Sequence, residues 1–147
     1  MNASMRRAAC LAGAAGALVL PASAGAVIGE YLAAMERGDR AAAVAFYADD
    51  VVMHVPGRSA FAGARRGRAA VMAYLAAALE RADGGAEVEL VDMLASEERV
   101  MLLVRERFSG GIEIERANVY TVRGEEIVEA WIYEADQYAV DDLLGRA

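Results

Sequence analysis

The stretch that decides the fold is residues 99–120, RVMLLVRERFSGGIEIERANVY. Two β-rich runs flank Ser109-Gly110-Gly111, which reads as a hairpin turn. Charge sets the register. A three-residue turn pairs Phe108 with Ile112, so that Arg107 faces Glu113 and Arg105 faces Glu115, and opposite charges meet across the strands. A two-residue turn would place Arg105 opposite Arg116 and Glu106 opposite Glu115, like against like. The three-residue turn is therefore expected. The other face then carries Val100, Leu102, Val104 and Glu106 against Ile114, Arg116, Asn118 and Tyr120. It is apolar except at Glu106, Arg116 and Asn118. Polar groups on a packed face need partners or a wet cavity. The three mark either a pocket or a Glu106–Arg116 pair at the sheet rim.

Reading outward from the hairpin, AEVELVDMLAS and EIVEAWIYE are further strands, and VVMHV is a strand stopped by Pro56-Gly57. Ahead of these lie helical patterns. Val27, Ile28, Tyr31, Leu32 and Met35 share one helix face, ended by Gly38, with Asp39 as the next N-cap. RAAAVAFYADD is a short second helix with Val44 and Tyr47 three apart. In GRAAVMAYLAAALERADGG, Val71, Leu75 and Leu79 recur every fourth residue until Gly84-Gly85. Helices followed by runs of strands specify an α+β fold, with helices on one face of an antiparallel sheet.

Composition narrows the function. A chain of 147 residues fits one domain. A formal charge of −7 and a pI near 4.8 argue against nucleic acid. Arg65, Arg66 and Arg68 form only a short cluster, read as a solvated loop and helix start. The single cysteine, Cys10, permits no intramolecular disulfide and no cysteine zinc site. The single histidine, His54, permits no multi-histidine metal site. No metal and no cofactor are expected.

The first residues, MNASMRRAACLAGAAGALVLPASAGA, have two arginines, an apolar run from Ala8 to Leu20 and the small-residue site Ala22-Ser23-Ala24. That is the three-part pattern of an export signal over residues 1–24, leaving a domain over 25–147. The alternative is an alanine-rich extension or a mis-assigned start. Export implies a periplasmic or secreted protein; the alternative implies a cytoplasmic one. The run is too short for a stable membrane anchor.

EYLAAMERGDRAAAVAFYADDVVMHVPG, then the GRAAVMAYL helix, then VRGEEIVEAWIYEADQYAVDDLL, resemble the SnoaL-like and ketosteroid-isomerase-like branch of the nuclear-transport-factor-2-like superfamily over roughly residues 24–144. The resemblance implies a cone: three helices against a curved antiparallel sheet, with a pocket between them and homodimers formed through the sheet. It places Tyr31 at the helix-1 tyrosine that donates to the oxyanion in ketosteroid isomerases. It places Asn118 where those enzymes carry a protonated aspartic acid and related polyketide cyclases often carry histidine. The isomerase base position is Val55 and the cyclase base position is Ile132, so both family bases are missing. Loss of a base removes a factor of roughly 10²–10⁴ from proton abstraction.

Glu106 and Glu134 are the carboxylates left as substitute bases, with His54 a third candidate. Strand alternation turns His54 away from Val55, which favours a structural or interface role if Val55 lines the pocket. Met53, Val55, Leu102, Val104, Arg116, Tyr120 and Ile132 read as pocket wall. Trp131 is contested. The resemblance turns Ile132 and Glu134 inward, whereas a simple two-residue turn at Gly124-Glu125 pairs Trp131 with Asn118 and turns Trp131 inward. Two main functions follow: a binder of a small hydrophobic molecule, or an isomerase or cyclase acting on a hydrophobic carbonyl compound through an enolate. A third reading is a dimerisation module.

Overall fold

The computed structural model describes residues 23–81 and 86–145. In chain order these form α1 (Ala24–Glu36), α2 (Arg40–Ala45), β1 (Tyr47–Val55), β2 (Gly63–Arg66), α3 (Arg68–Arg81), β3 (Ala86–Ala95), β4 (Arg99–Phe108), β5 (Glu113–Arg123), β6 (Glu126–Glu134) and α4 (Gln137–Leu144). The leader expectation falls mainly on residues 1–22, outside the described residues. Ser23 is the N-cap of α1, its hydroxyl accepting from the Ala26 N–H, and Ala24 is buried.

The six strands form one curved sheet in the order β2-β1-β6-β5-β4-β3. Neighbours are antiparallel except β1 and β6, which are parallel. The β4–β5 hairpin has the register that charge dictates: Arg107 opposite Glu113 and Arg105 opposite Glu115. Its inner face packs under α1, which contacts β3, β4 and β5, while α3 covers β1 and β2. The core centres on Ile28, Tyr47, Val51, Val71, Val100, Leu102 and Ile127, all essentially inaccessible to solvent.

Irregular pairing shapes the sheet at three places among the described residues, one of them between Tyr47 and Val52 of β1, where it meets β6. Between β5 and β6, Arg123 pairs with Glu126 and Val122 with Ile127, but Thr121 pairs with Glu129, so Val128 is an extra residue. Between β3 and β4, Val91 is extra. A bulge bends its strand and moves all later residues by one register step.

The helices differ from the sequence expectation in which side chains face inward. On α1 the buried set is Ala24, Val27, Ile28, Tyr31 and Ala34, and Met35 is exposed. On α3 Val71 and Tyr74 are buried, whereas Leu75 and Leu79 lie at the margin, 37% exposed each. In both helices alanine occupies part of the packed stripe, so the large side chains alone misplace its centre. Tyr47 belongs to β1 rather than α2. Arg65 and Arg66 lie on β2, a short strand paired to β1.

A fourth helix, α4, joins the expected three. Asp136 caps it by accepting from the Ala139 N–H. Val140 and Leu144 pack with Ile114, Phe61, Ala78 and Phe108. Asp141, 5% exposed, ties α4 to the loop after β1: its Oδ1 accepts from the Arg58 N–H at 2.9 Å and from Gln137 Nε2 at 3.1 Å. Gly57 makes this approach available. Its φ is +97°, and a Cβ there would collide with Asp141 Oδ1 and Gln137 Nε2. Gly38, at φ +70°, has nothing near its missing Cβ. Gly38→Ala should therefore cost about 1 kcal/mol from backbone strain alone. Gly57→Ala should cost about 2–4 kcal/mol, because it also displaces a buried carboxylate from its donors. Urea denaturation of the two variants measures the difference.

Candidate functional site

The inner face of β5 presents Ile114, Arg116, Asn118 and Tyr120 in alternation. Across from them on β4 lie Glu106, Val104, Leu102 and Val100. On the other side, β6 sets Glu134 opposite Arg116, Ile132 opposite Asn118 and Ala130 opposite Tyr120. Leu102, Val104, Tyr120 and Ile132 are buried, as are Met53 and Val55 of β1. An apolar wall thus surrounds a short polar column.

At one end of the column a single guanidinium serves two carboxylates. Arg116 Nε donates to Glu134 Oε2 at 3.1 Å, and Arg116 Nη2 lies 3.5 Å from Glu106 Oε2. The Arg116, Glu106 and Glu134 side chains are 15%, 18% and 2% exposed. Burial holds the Glu134 carboxyl above the usual carboxylate range; Arg116 opposes that shift and Glu106 adds to it. Glu106 and Arg116 pair, as one sequence reading had it, but Glu134 makes the pair a triad.

At the other end three phenols converge. The Tyr31 and Tyr47 hydroxyls are hydrogen-bonded at 3.1 Å, and the Tyr31 ring meets those of Tyr47 and Tyr120 at centroid distances of 5.7 and 6.1 Å. Burial raises the pKa of all three, so they are neutral donors at ordinary pH. Between the two ends sits Asn118. Its Oδ1 is sealed from solvent and is the only buried side-chain nitrogen or oxygen without a hydrogen-bond partner among the described residues. An unsatisfied buried acceptor is destabilising on its own account, and such groups call for an explanation.

His54 and Trp131 lie on the opposite, outer face. The imidazole stacks on the indole with centroids 3.6 Å apart and planes 12° from parallel, and its Nε2 is 2.9 Å from Glu129 Oε1. Neither belongs to the inner column. The Val128 bulge is the cause: the two-residue turn does start at Gly124, but the extra residue moves Trp131 opposite Val119 and leaves Ile132 and Glu134 inward. Arg105 and Arg107 also face outward, in a ladder with Glu89, Glu113 and Glu115.

Sequence reasoning missed Tyr47 and Tyr74. Tyr47 falls at the end of RAAAVAFY, which reads as helix, whereas it opens β1. Tyr74 stands three residues after Val71, a spacing that the choice of Leu75 and Leu79 obscured. Two surface depressions, of about 280 and 310 Å³, are lined by Glu30, Ala33, Ala34, Arg37, Ala42 and Phe46 and by Gly57, Arg58, Gln137, Tyr138 and Asp141. Neither touches the column. Among the described residues no group of three or more His, Cys, Asp or Glu side chains is placed to hold a metal ion, and no helix is long and apolar enough to cross a membrane.

A curved sheet wrapped by helices on its concave side defines the nuclear-transport-factor-2-like class of α+β proteins. The profile of the SnoaL-like domain matches residues 28–130, and the chain belongs to that family. No functionally curated protein matches it. Among solved structures, a cystatin-like-fold protein of unknown function from Xanthomonas campestris is 26% identical with a TM-score of 0.74, over 85% of this chain and 100% of that one. Bal32a, from a soil-derived mobile gene cassette, is 24% identical with a TM-score of 0.72, over 81% and 94%. A nuclear-transport-factor-2-like protein from Burkholderia xenovorans is 24% identical with a TM-score of 0.64, over 85% and 99%.

The triad makes unequal demands on its members. Arg116→Met leaves two buried carboxylates facing each other and should cost about 3–5 kcal/mol. Glu134→Gln keeps the Arg116–Glu106 pair and should cost far less. The pH dependence has a definite sign. A carboxyl whose folded pKa is raised favours the folded state fully below its unfolded value, and that contribution is lost as pH rises through the folded value. Glu134→Gln should therefore gain stability relative to the parent as pH rises from 4 to 7. Urea denaturation at several pH values tests this, and a constant or falling difference contradicts it.

Proposed function

We propose that the protein binds a small, uncharged hydrophobic molecule against the inner face of the sheet. The observation that carries this is the polar column itself: an ion triad and an unpartnered amide oxygen set into an otherwise apolar wall. A few polar groups converging in apolar surroundings are the usual makings of a small-molecule site. The column also constrains the ligand. Arg116 is already shared by two carboxylates, so it has no charge left over to attract a carboxylate ligand.

A second reading, an isomerase or cyclase acting on a hydrophobic carbonyl compound, is favoured by Glu134. The two family base positions, Val55 and Ile132, are apolar here. Glu134 lies two residues beyond Ile132 on the same inward face, and its pKa is raised by burial. A carboxylate of raised pKa is a better proton acceptor near neutrality. In this reading Glu134, or Glu106 beside it, moves the proton, while Asn118 and a buried phenol hold the enolate oxygen.

We also place a second copy of the chain on the outer face, where Trp131, Tyr133, Leu103 and Leu94 are 39%, 54%, 36% and 54% exposed. Large exposed aromatics gathered on one face favour a partner surface.

A thermal-shift screen of neutral enones and aryl ketones, each paired with its carboxylate counterpart, tests the binding reading. Neutral compounds should raise the melting temperature and their carboxylate partners should not; stabilisation by the carboxylates alone contradicts it. Deuterium exchange at the ligand's α-carbon then separates the two classes. A binder leaves it unlabelled. A catalyst labels it, and Glu134→Gln should slow labelling about 10²-fold or more. For the dimer, Trp131→Arg should convert a two-copy species to a single copy in analytical ultracentrifugation. A parent that sediments as one copy removes that part of the proposal.

A further inference from the structure

Of the inward-facing tyrosines, Tyr31, Tyr47 and Tyr120 gather in one cluster and Tyr74 does not. Tyr31 hydrogen-bonds Tyr47, and the Tyr120 ring packs against that of Tyr31 with centroids 6.1 Å apart. Tyr74 stands apart on α3. Its ring is fixed: the residue is 5% exposed, and the ring meets Phe61 edge-on at 6.1 Å. Its hydroxyl has no hydrogen-bond partner among the described residues. It is not sealed either, since Asn118 Oδ1 is the only closed-off, unpartnered side-chain atom there. Tyr74 also lies within electrostatic reach of Arg116, Glu134, Glu106 and Arg65, toward the triad end of the column.

Buried tyrosines normally find a partner for the hydroxyl. A packed ring whose oxygen has no partner contributes nothing to the fold that phenylalanine would not. The missing partner is supplied by whatever enters. Tyr31 is in the reverse position. Its hydroxyl already has a partner in Tyr47, and its ring is packed among Phe46, Tyr47 and Tyr120.

We infer that Tyr74, rather than Tyr31, is the phenol that meets the ligand: its hydroxyl donates to a neutral oxygen, a carbonyl or hydroxyl, at the Arg116 end of the column, while Tyr31 holds the closed end together. This rests on the binding reading above and adds the contact and the ligand's orientation. An uncharged oxygen is the acceptor that suits this end, because Arg116 is taken up by the two glutamates and the Arg65 guanidinium donates to the Phe61 and Ala60 carbonyls. The phenol remains a donor at neutral pH, since burial raises its pKa.

The test uses the full chain and prodan, an uncharged aromatic ketone whose emission moves to the red when its carbonyl accepts a hydrogen bond. The parent should bind prodan. Tyr74→Phe should weaken that binding about fivefold, the usual effect of one neutral hydrogen bond, and move the emission to the blue, with no fall in the urea midpoint. Tyr31→Phe should lower the urea midpoint, because it breaks the bond to Tyr47, and should leave affinity and emission unchanged. The proposal is overturned if Tyr74→Phe binds and emits like the parent, or if Tyr31→Phe carries the loss instead. A parent that does not bind prodan while other neutral ketones stabilise it overturns the Tyr74 assignment alone. A parent stabilised by no neutral compound overturns the binding reading and this inference with it.

Discussion

One guanidinium between two carboxylates is the constraint around which the inner face is organised. Arg116 meets Glu134 at 3.1 Å and Glu106 at 3.5 Å among side chains that are largely withdrawn from water. Desolvating three charges is expensive, and the arrangement is tolerable only when each has its partner. The strand registers meet that demand jointly. The three-residue hairpin turn sets Val104 opposite Arg116 and turns Glu106 to the same face. The Val128 bulge then turns Glu134 inward. Without the bulge, Trp131 and Tyr133 would point into the column and Glu134 would face solvent. A local backbone irregularity therefore decides whether the interior holds an ion triad or an aromatic wall.

The same alternation divides the sheet into two surfaces with different chemistry. Inside, Tyr31, Tyr47 and Tyr120 close one end with an aromatic cluster tied by the Tyr31–Tyr47 hydrogen bond, and the triad forms the other. Outside, His54 stacks on Trp131 beside Glu129, and the Arg105 and Arg107 ladder runs along β4 and β5. Among the described residues the one sealed side-chain atom without a partner, Asn118 Oδ1, lies on the inner side.

Much of this was legible in the sequence where a pattern had only one consistent solution. Opposite charges at Arg105, Arg107, Glu113 and Glu115 fixed the hairpin, and from it the inward placement of Glu106, Arg116 and Asn118. Alternation from Val55 turned His54 outward. The bulge was not legible, because Val128 sits in EIVEAWIYE, a strand-like run with no glycine or proline to mark it. The two arguments about Trp131 differ by this one extra residue. Helix faces were blurred by alanine, which packs without announcing itself: Ala34 and Ala78 stand where Met35 and Leu79 were expected. That error also hid Tyr74. The α4 helix had its signals, an Asp136 cap and Val140 with Leu144 four residues apart, but its packing partners Ile114 and Phe61 come from distant parts of the chain.

The central claim is that the Arg116 end of the inner column is where a ligand's polar group resides. Side-chain NMR of the arginine Nε–H groups reads this directly, because Arg116 lies inside while Arg105 and Arg107 lie on the outer ladder. On saturation with a neutral aryl ketone, the Arg116 resonance should shift and those of Arg105 and Arg107 should hold still. Movement of the outer pair with Arg116 unchanged would contradict the account.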